Sequence, residues 1–118
     1  MKGTLRTLET QEKYEEYRKA GGLDGECALC EIPAIEEFKY WKIAMNRFPY
    51  DKVADPHHMM IIKRHVPANE ITGEEWMEYN ALKQSGEYID KNYDFIFEST
   101  VKMMTVPQHL HLHLIVVK

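Results

Sequence analysis

Apolar and polar positions alternate in some parts of this chain and recur every three or four residues in others, and the change of period outlines its elements. Residues Thr10 to Lys19 put Tyr14 and Tyr17 on one side of a charged stretch. This predicts a short amphipathic helix that Gly21-Gly22 ends. From Tyr40 to Asn46, Trp41, Ile43 and Met45 fall on one face and Lys42, Ala44 and Asn46 on the other, the period of a half-buried strand. Pro49-Tyr50-Asp51 breaks it. His57 to Lys63 is apolar on both faces, as in a central strand. Thr72 as N-cap with Glu75 three residues on forms a capping box, opening a helix that the pattern carries to about Asn92, weakened slightly at Gly86. Asp94 to Thr100 is a third strand. Gln108 to Lys118 is a fourth, with the strictest alternation. Strands joined by loops and one long helix, without a regular βαβ rhythm, predict an α+β domain around an antiparallel sheet.

The chain has 118 residues, 44% of them hydrophobic, enough for one core and one domain spanning 1–118. The opening stretch Met1 to Leu8 runs straight into Glu9, Gln11 and Glu12 with no apolar signal region, and no segment is long enough to span a membrane. A cytoplasmic protein is expected. Net charge is −4 with acids and bases interspersed, which leaves no footprint for a long nucleic acid, although a small phosphorylated ligand can bind through local dipoles. The only cysteines, Cys27 and Cys30, are spaced as half a metal site or a redox pair; two small buried residues are the plain alternative.

The chemistry concentrates in His109-Leu110-His111-Leu112-His113-Leu114-Ile115. With period two, the three histidines share one face of a strand and the leucines share the other, where they bury against a helix. At about 3.3 Å per residue His109 and His113 stand about 13 Å apart, too far for one metal to hold all three. Two neighbours could still share an ion, so at least one needs another role. A neutral imidazole held in one tautomer is a good nucleophile or proton carrier near pH 7, and the middle one, His111, is the natural nucleophile.

This segment resembles the signature of the histidine-triad superfamily: His, apolar, His, apolar, His, apolar, apolar. Cys27 to Ile32, Asn46 to Tyr50 and His57 to His65 are similar in order and spacing, so the resemblance covers roughly residues 27–118 and leaves 1–26 as an N-terminal helical extension. It implies a five-stranded antiparallel sheet with two helices, a homodimer, and a covalent nucleotidyl-histidine intermediate in nucleotide hydrolysis or nucleotidyl transfer. His111 matches the nucleophile, and His113 the residue that contacts phosphate and helps protonate the leaving group. His57 matches the fourth histidine, with His58 one residue away on the opposite face. Asn46 and Phe48 match residues around the nucleoside. Histidine rather than glutamine at 113 favours hydrolases of phosphoramidates or dinucleoside polyphosphates. In zinc-bearing branches the metal set corresponds to Cys27, Cys30, His65 and His109, a closed structural site.

One segment departs from the family. Where glycines normally precede the triad and cradle phosphate, Glu98 to Gln108 contains none, and Pro107 removes one donor. Thr105, Gln108 and Lys102 are the available substitutes. Two other readings follow: a non-catalytic nucleotide-binding module, and a metalloenzyme with His109 and His111 on an open metal. Lys63 and Arg64 read equally well as solvated charges at a strand end.

Overall fold

The computed structural model describes residues 4–118. Its centre is an open antiparallel sheet of five strands in the order β1-β2-β3-β5-β4. The strands are β1 (Glu36–Glu37), β2 (Trp41–Met45), β3 (Ala54–Ile62), β4 (Phe95–Phe97) and β5 (His111–Val117). The α+β class and the five antiparallel strands agree with expectation. The helix count does not, since among the described residues there are four α-helices: α1 (Leu8–Lys19), α2 (Ala28–Glu31), α3 (Gly73–Gln84) and α4 (Ile89–Asn92).

The predicted long helix to Asn92 is in fact α3 and α4, separated by a bend at 85–88. Gly86 takes φ +71° there, a conformation an α-helix cannot contain and other residues adopt at a cost. Its start follows the sequence: the Thr72 side chain accepts from Glu75 N–H and the Glu75 carboxylate accepts from Thr72 N–H. Glu75 has a second partner, because Arg64 grips it with Nε at 2.8 Å and Nη2 at 2.7 Å. Arg64 is therefore no free strand-end charge. It ties the end of β3 to the start of α3 and holds the Glu75 carboxyl well below the usual carboxylate range. Lys63 stays exposed, 3.7 Å from Glu37.

The two faces of the sheet separate cleanly. Trp41 and Ile43 of β2, Met60 and Ile62 of β3, and Leu112 and Leu114 of β5 point to the side covered by α3 and α4, where Tyr79, Ile89 and Tyr93 complete the main core. Trp41 is fully buried and donates its indole N–H to the Glu75 carbonyl at 2.8 Å, so its one polar atom is satisfied. Met45 follows the same alternation but lies beyond the helices and is 63% exposed. The opposite face carries Ala44, Met59 and Ile61 under Leu29 of α2. Helix α1 packs beside it on the loop after β2. Its N-cap Thr7 and neighbouring Thr10 bond the Asp51 carboxylate, which accepts Thr7 N–H at 2.8 Å. Its end is closed by Gly22 N–H on the Tyr17 carbonyl at 2.8 Å. A Cβ at Gly22 would come within 2.5 Å of the Tyr17 ring, so any other residue there would have to displace that ring.

Candidate functional site

The pairing register decides what the second face can do. His113 lies opposite Met59 and His111 opposite Ile61 across β3 and β5, and His57 lies opposite Ile115 on the same face. A register shift between Ala54 and His57, where Pro56 interrupts the ladder, sets this phase. His58 consequently points to the helix side, where its Nδ1 and the Tyr93 hydroxyl share a hydrogen bond of 2.7 Å. Of the two adjacent histidines only His57 stands with His111 and His113.

His111 sits at the start of β5 with Nδ1 3.0 Å from the carbonyl oxygen of His109. A carbonyl only accepts, so Nδ1 carries the proton and the lone pair is on Nε2. Burial pushes the proton affinity of the ring below its ordinary value, although the same hydrogen bond opposes this in part. The result is a neutral imidazole of fixed tautomer.

A second chain of bonds sets His57 and His113. The backbone N–H of Tyr50 donates to His57 Nδ1 at 2.8 Å, which puts the proton of neutral His57 on Nε2. That N–H donates to His113 Nδ1 at 2.8 Å, so His113 carries its own proton on Nε2, 3.5 Å from the Tyr50 hydroxyl. Burial lowers both rings to about 3, with Arg6 the next cause for His57 and the neighbouring His57 the next for His113. Both are neutral at pH 7. The Tyr50 ring covers them, 4.4 Å from His57 and 5.0 Å from His113 between centroids.

At the other end of the row the four sulfur and nitrogen donors converge. Helix α2 is a single turn with Cys27 as its N-cap, and that turn brings Cys30 round to the same side. His109, just ahead of β5, is fully buried and hydrogen bonds the Ile62 carbonyl through Nε2 at 2.6 Å, which leaves Nδ1 facing the cysteines and His65. Its Nδ1 lies 3.4 Å from Cys27 Sγ, 3.5 Å from Cys30 Sγ and 3.3 Å from His65 Nδ1. Cys30 Sγ is 3.3 Å from His65 Nδ1. Bonds of about 2.0–2.3 Å from a central ion give tetrahedron edges of about 3.3–3.8 Å, so these spacings fit one four-coordinate ion. All four donor atoms lie within 4.8 Å of one another, a group that can hold a metal ion. His111 is outside it.

The remaining expected site residues divide. Asn46 lies beside His57, with Nδ2 3.3 Å from Nε2, while its Oδ1 accepts Phe48 N–H at 2.8 Å. Phe48 is packed against the rings of Tyr14 and Tyr17 of α1, at 5.5 and 5.1 Å. Thr105 and Gln108 are exposed and border, with Cys27 and His65, a cavity of about 160 Å³ beside the metal-type cluster. No hydrogen bond among the described residues joins them to His111 or His113. Tyr50 was legible only as a strand breaker, and its part in fixing two imidazoles comes from a contact across seven residues. Arg6 gave no signal at all, since its partner Phe48 is 42 residues away.

No protein-family model matches the chain, and no curated protein matches it either. Among the described residues no helix is long and apolar enough to cross a membrane.

Proposed function

We propose that this protein is a nucleotide hydrolase or nucleotidyl transferase of the histidine-triad type, with His111 as nucleophile. The observation that carries the reading is the bond from His111 Nδ1–H to the His109 carbonyl, because it leaves a lone pair on Nε2 of a ring kept neutral by burial. In the first step that lone pair forms a bond to the α-phosphorus of a nucleotide, and the bond to the leaving oxygen or nitrogen breaks with its electron pair. His113 presents Nε2–H, suited to hydrogen bond a phosphoryl or leaving-group atom as charge builds there. In the second step water or another acceptor attacks phosphorus, the phosphorus–nitrogen bond breaks, the pair returns to Nε2 and the water proton passes to solvent.

We read the four-donor cluster as a structural zinc site. Two thiolates and two imidazoles suit zinc, and four protein ligands leave no position for substrate. Zinc there would clamp α2 to the end of β3 and the start of β5, bracing the row of histidines. This weighs against an open metal on His109 and His111.

Intact mass spectrometry after mixing with adenosine 5′-phosphoramidate, dinucleoside polyphosphates and nucleotide sugars tests the reading. A nucleotidyl adduct that His111→Ala abolishes is expected. Absence of any adduct and of any nucleoside monophosphate product from the whole panel sinks it. The glycine-free stretch from Glu98 to Gln108, exposed along much of its length, favours one second reading, a module that binds nucleotide without turnover. Tight calorimetric binding of a nucleoside monophosphate with no adduct would select that alternative.

A further inference from the structure

The N-terminal segment places a cation against Tyr50, the ring that covers the buried imidazole pair. Arg6 lies ahead of α1, and its Nε–H donates to the Phe48 carbonyl at 2.8 Å. The guanidinium carbon sits 4.5 Å from the ring centre of Tyr14 and 5.0 Å from that of Tyr50, between two aromatic rings. Tyr50 in turn lies over His57 and His113. A guanidinium has five N–H donors, and the bond to Phe48 uses one. Among the described residues the other four have no protein acceptor, and no carboxylate forms a salt bridge with it. Beside it, Tyr14 is 6% exposed and its hydroxyl has no hydrogen-bond partner, the one such buried side-chain atom among the described residues. Polar groups left without partners at a half-buried position are costly unless a ligand or water supplies them.

We propose that Arg6 binds the phosphate of the substrate, its unused N–H groups gripping an oxyanion beside the Tyr50 ring that covers His57 and His113. A guanidinium with N–H groups to spare can offer a bidentate fork, the arrangement it makes with phosphate. It also answers the missing glycines: a segment outside the triad strands supplies the charge that a cradle of backbone N–H groups would otherwise provide. The identity of the anion as a nucleotide phosphate rests on the functional reading above.

Calorimetry with inorganic pyrophosphate and with adenosine 5′-monophosphate, on wild type, Arg6→Gln and Arg6→Lys, tests this. Arg6→Gln should weaken both ligands at least about tenfold, roughly one good charge-assisted pair, with Arg6→Lys recovering part of the loss. Turnover should lose through KM more than through kcat if the contact exists in the bound ground state. Because Arg6→Gln could loosen the docking of α1, the wild type is also titrated with pyrophosphate while the Arg6 Nε–H resonance is followed. A ligand-dependent shift supports the contact; no shift, or equal affinity in Arg6→Gln, overturns it. The two proposals fail separately. An adduct on His111 formed equally well without Arg6 removes only the arginine contact, whereas Arg6-dependent pyrophosphate binding with no adduct from any nucleotide removes only the catalytic reading.

Discussion

The two faces of the sheet are built from the same strands, with neighbouring residues of β5 turned to opposite sides, yet they solve different problems. On the helix side, Leu112 and Leu114 meet Met60, Ile62, Trp41 and Tyr79, and nearly every atom is apolar or satisfied. On the other side, His57 and His113 are buried and His111 is half-buried, but each ring is held by directed bonds that assign its protons. Burial is thus used twice with different results. Against α3 it removes apolar surface from water and stabilises the fold. Around the histidines it keeps imidazoles neutral, so that a lone pair or an N–H is available at pH 7.

Crossed substitutions on β5 give the largest contrast. His111→Ala should cut nucleotide turnover at least about 10³-fold, equal to about 4 kcal/mol of barrier, with a melting curve close to wild type. Leu114→Ala should do the reverse, lowering unfolding free energy by about 3 kcal/mol in urea titrations while the folded fraction keeps its chemistry. If both variants lose activity and stability in parallel, the division between faces is wrong.

Metal comes next. Purified protein should carry one zinc per chain by elemental analysis, and Cys27→Ser should lose it together with roughly 2–3 kcal/mol of stability. Metal retained in Cys27→Ser would instead point to an open site on the strand histidines.

Acid should erode the histidine face selectively. His57 and His113 are neutral when folded, at about 3, against an ordinary 6.5, so the unfolded chain binds more protons within that window. Their contribution is complete above 6.5 and falls as pH drops toward 3, by at most about 1.4 kcal/mol per pH unit for each ring. Denaturant midpoints measured between pH 7 and 4 should therefore decline, and less steeply in His57→Gln. A slope unchanged in that variant would show that the imidazole pair is not the source.

The smallest effect belongs to the helix side. Thr72→Ala removes one arm of the capping box and should cost about 1 kcal/mol, with no change in nucleotide binding.

Much of this architecture was legible from local pattern. The alternation in β2 and β5, the centrality of β3 and the cap of α3 each depend on residues close in sequence, and the observed elements agree with them. Strand β1 gave no signal because Glu36 and Glu37 are both exposed and carry no apolar face. The break between α3 and α4 was read as a mild weakness, since composition at Gly86 does not reveal its positive φ. Arg64 looked solvated because its partner Glu75 belongs to the next element.

By itself the sequence determined which side chains share a face, because strand periodicity is a property of the backbone and needs no partner. It also determined that thiols and imidazoles were present in numbers and spacings fit for a metal and a nucleophile. Only the tertiary structure decided which imidazole nitrogen carries each proton, that four donors from α2, the loop after β3 and the approach to β5 converge within a few ångströms, and that Arg6 packs on Tyr50, the ring that covers the opposite end of the row. Those outcomes depend on register and on contacts tens of residues apart. Their free energy is set by the distance and burial of groups that chain order does not bring together.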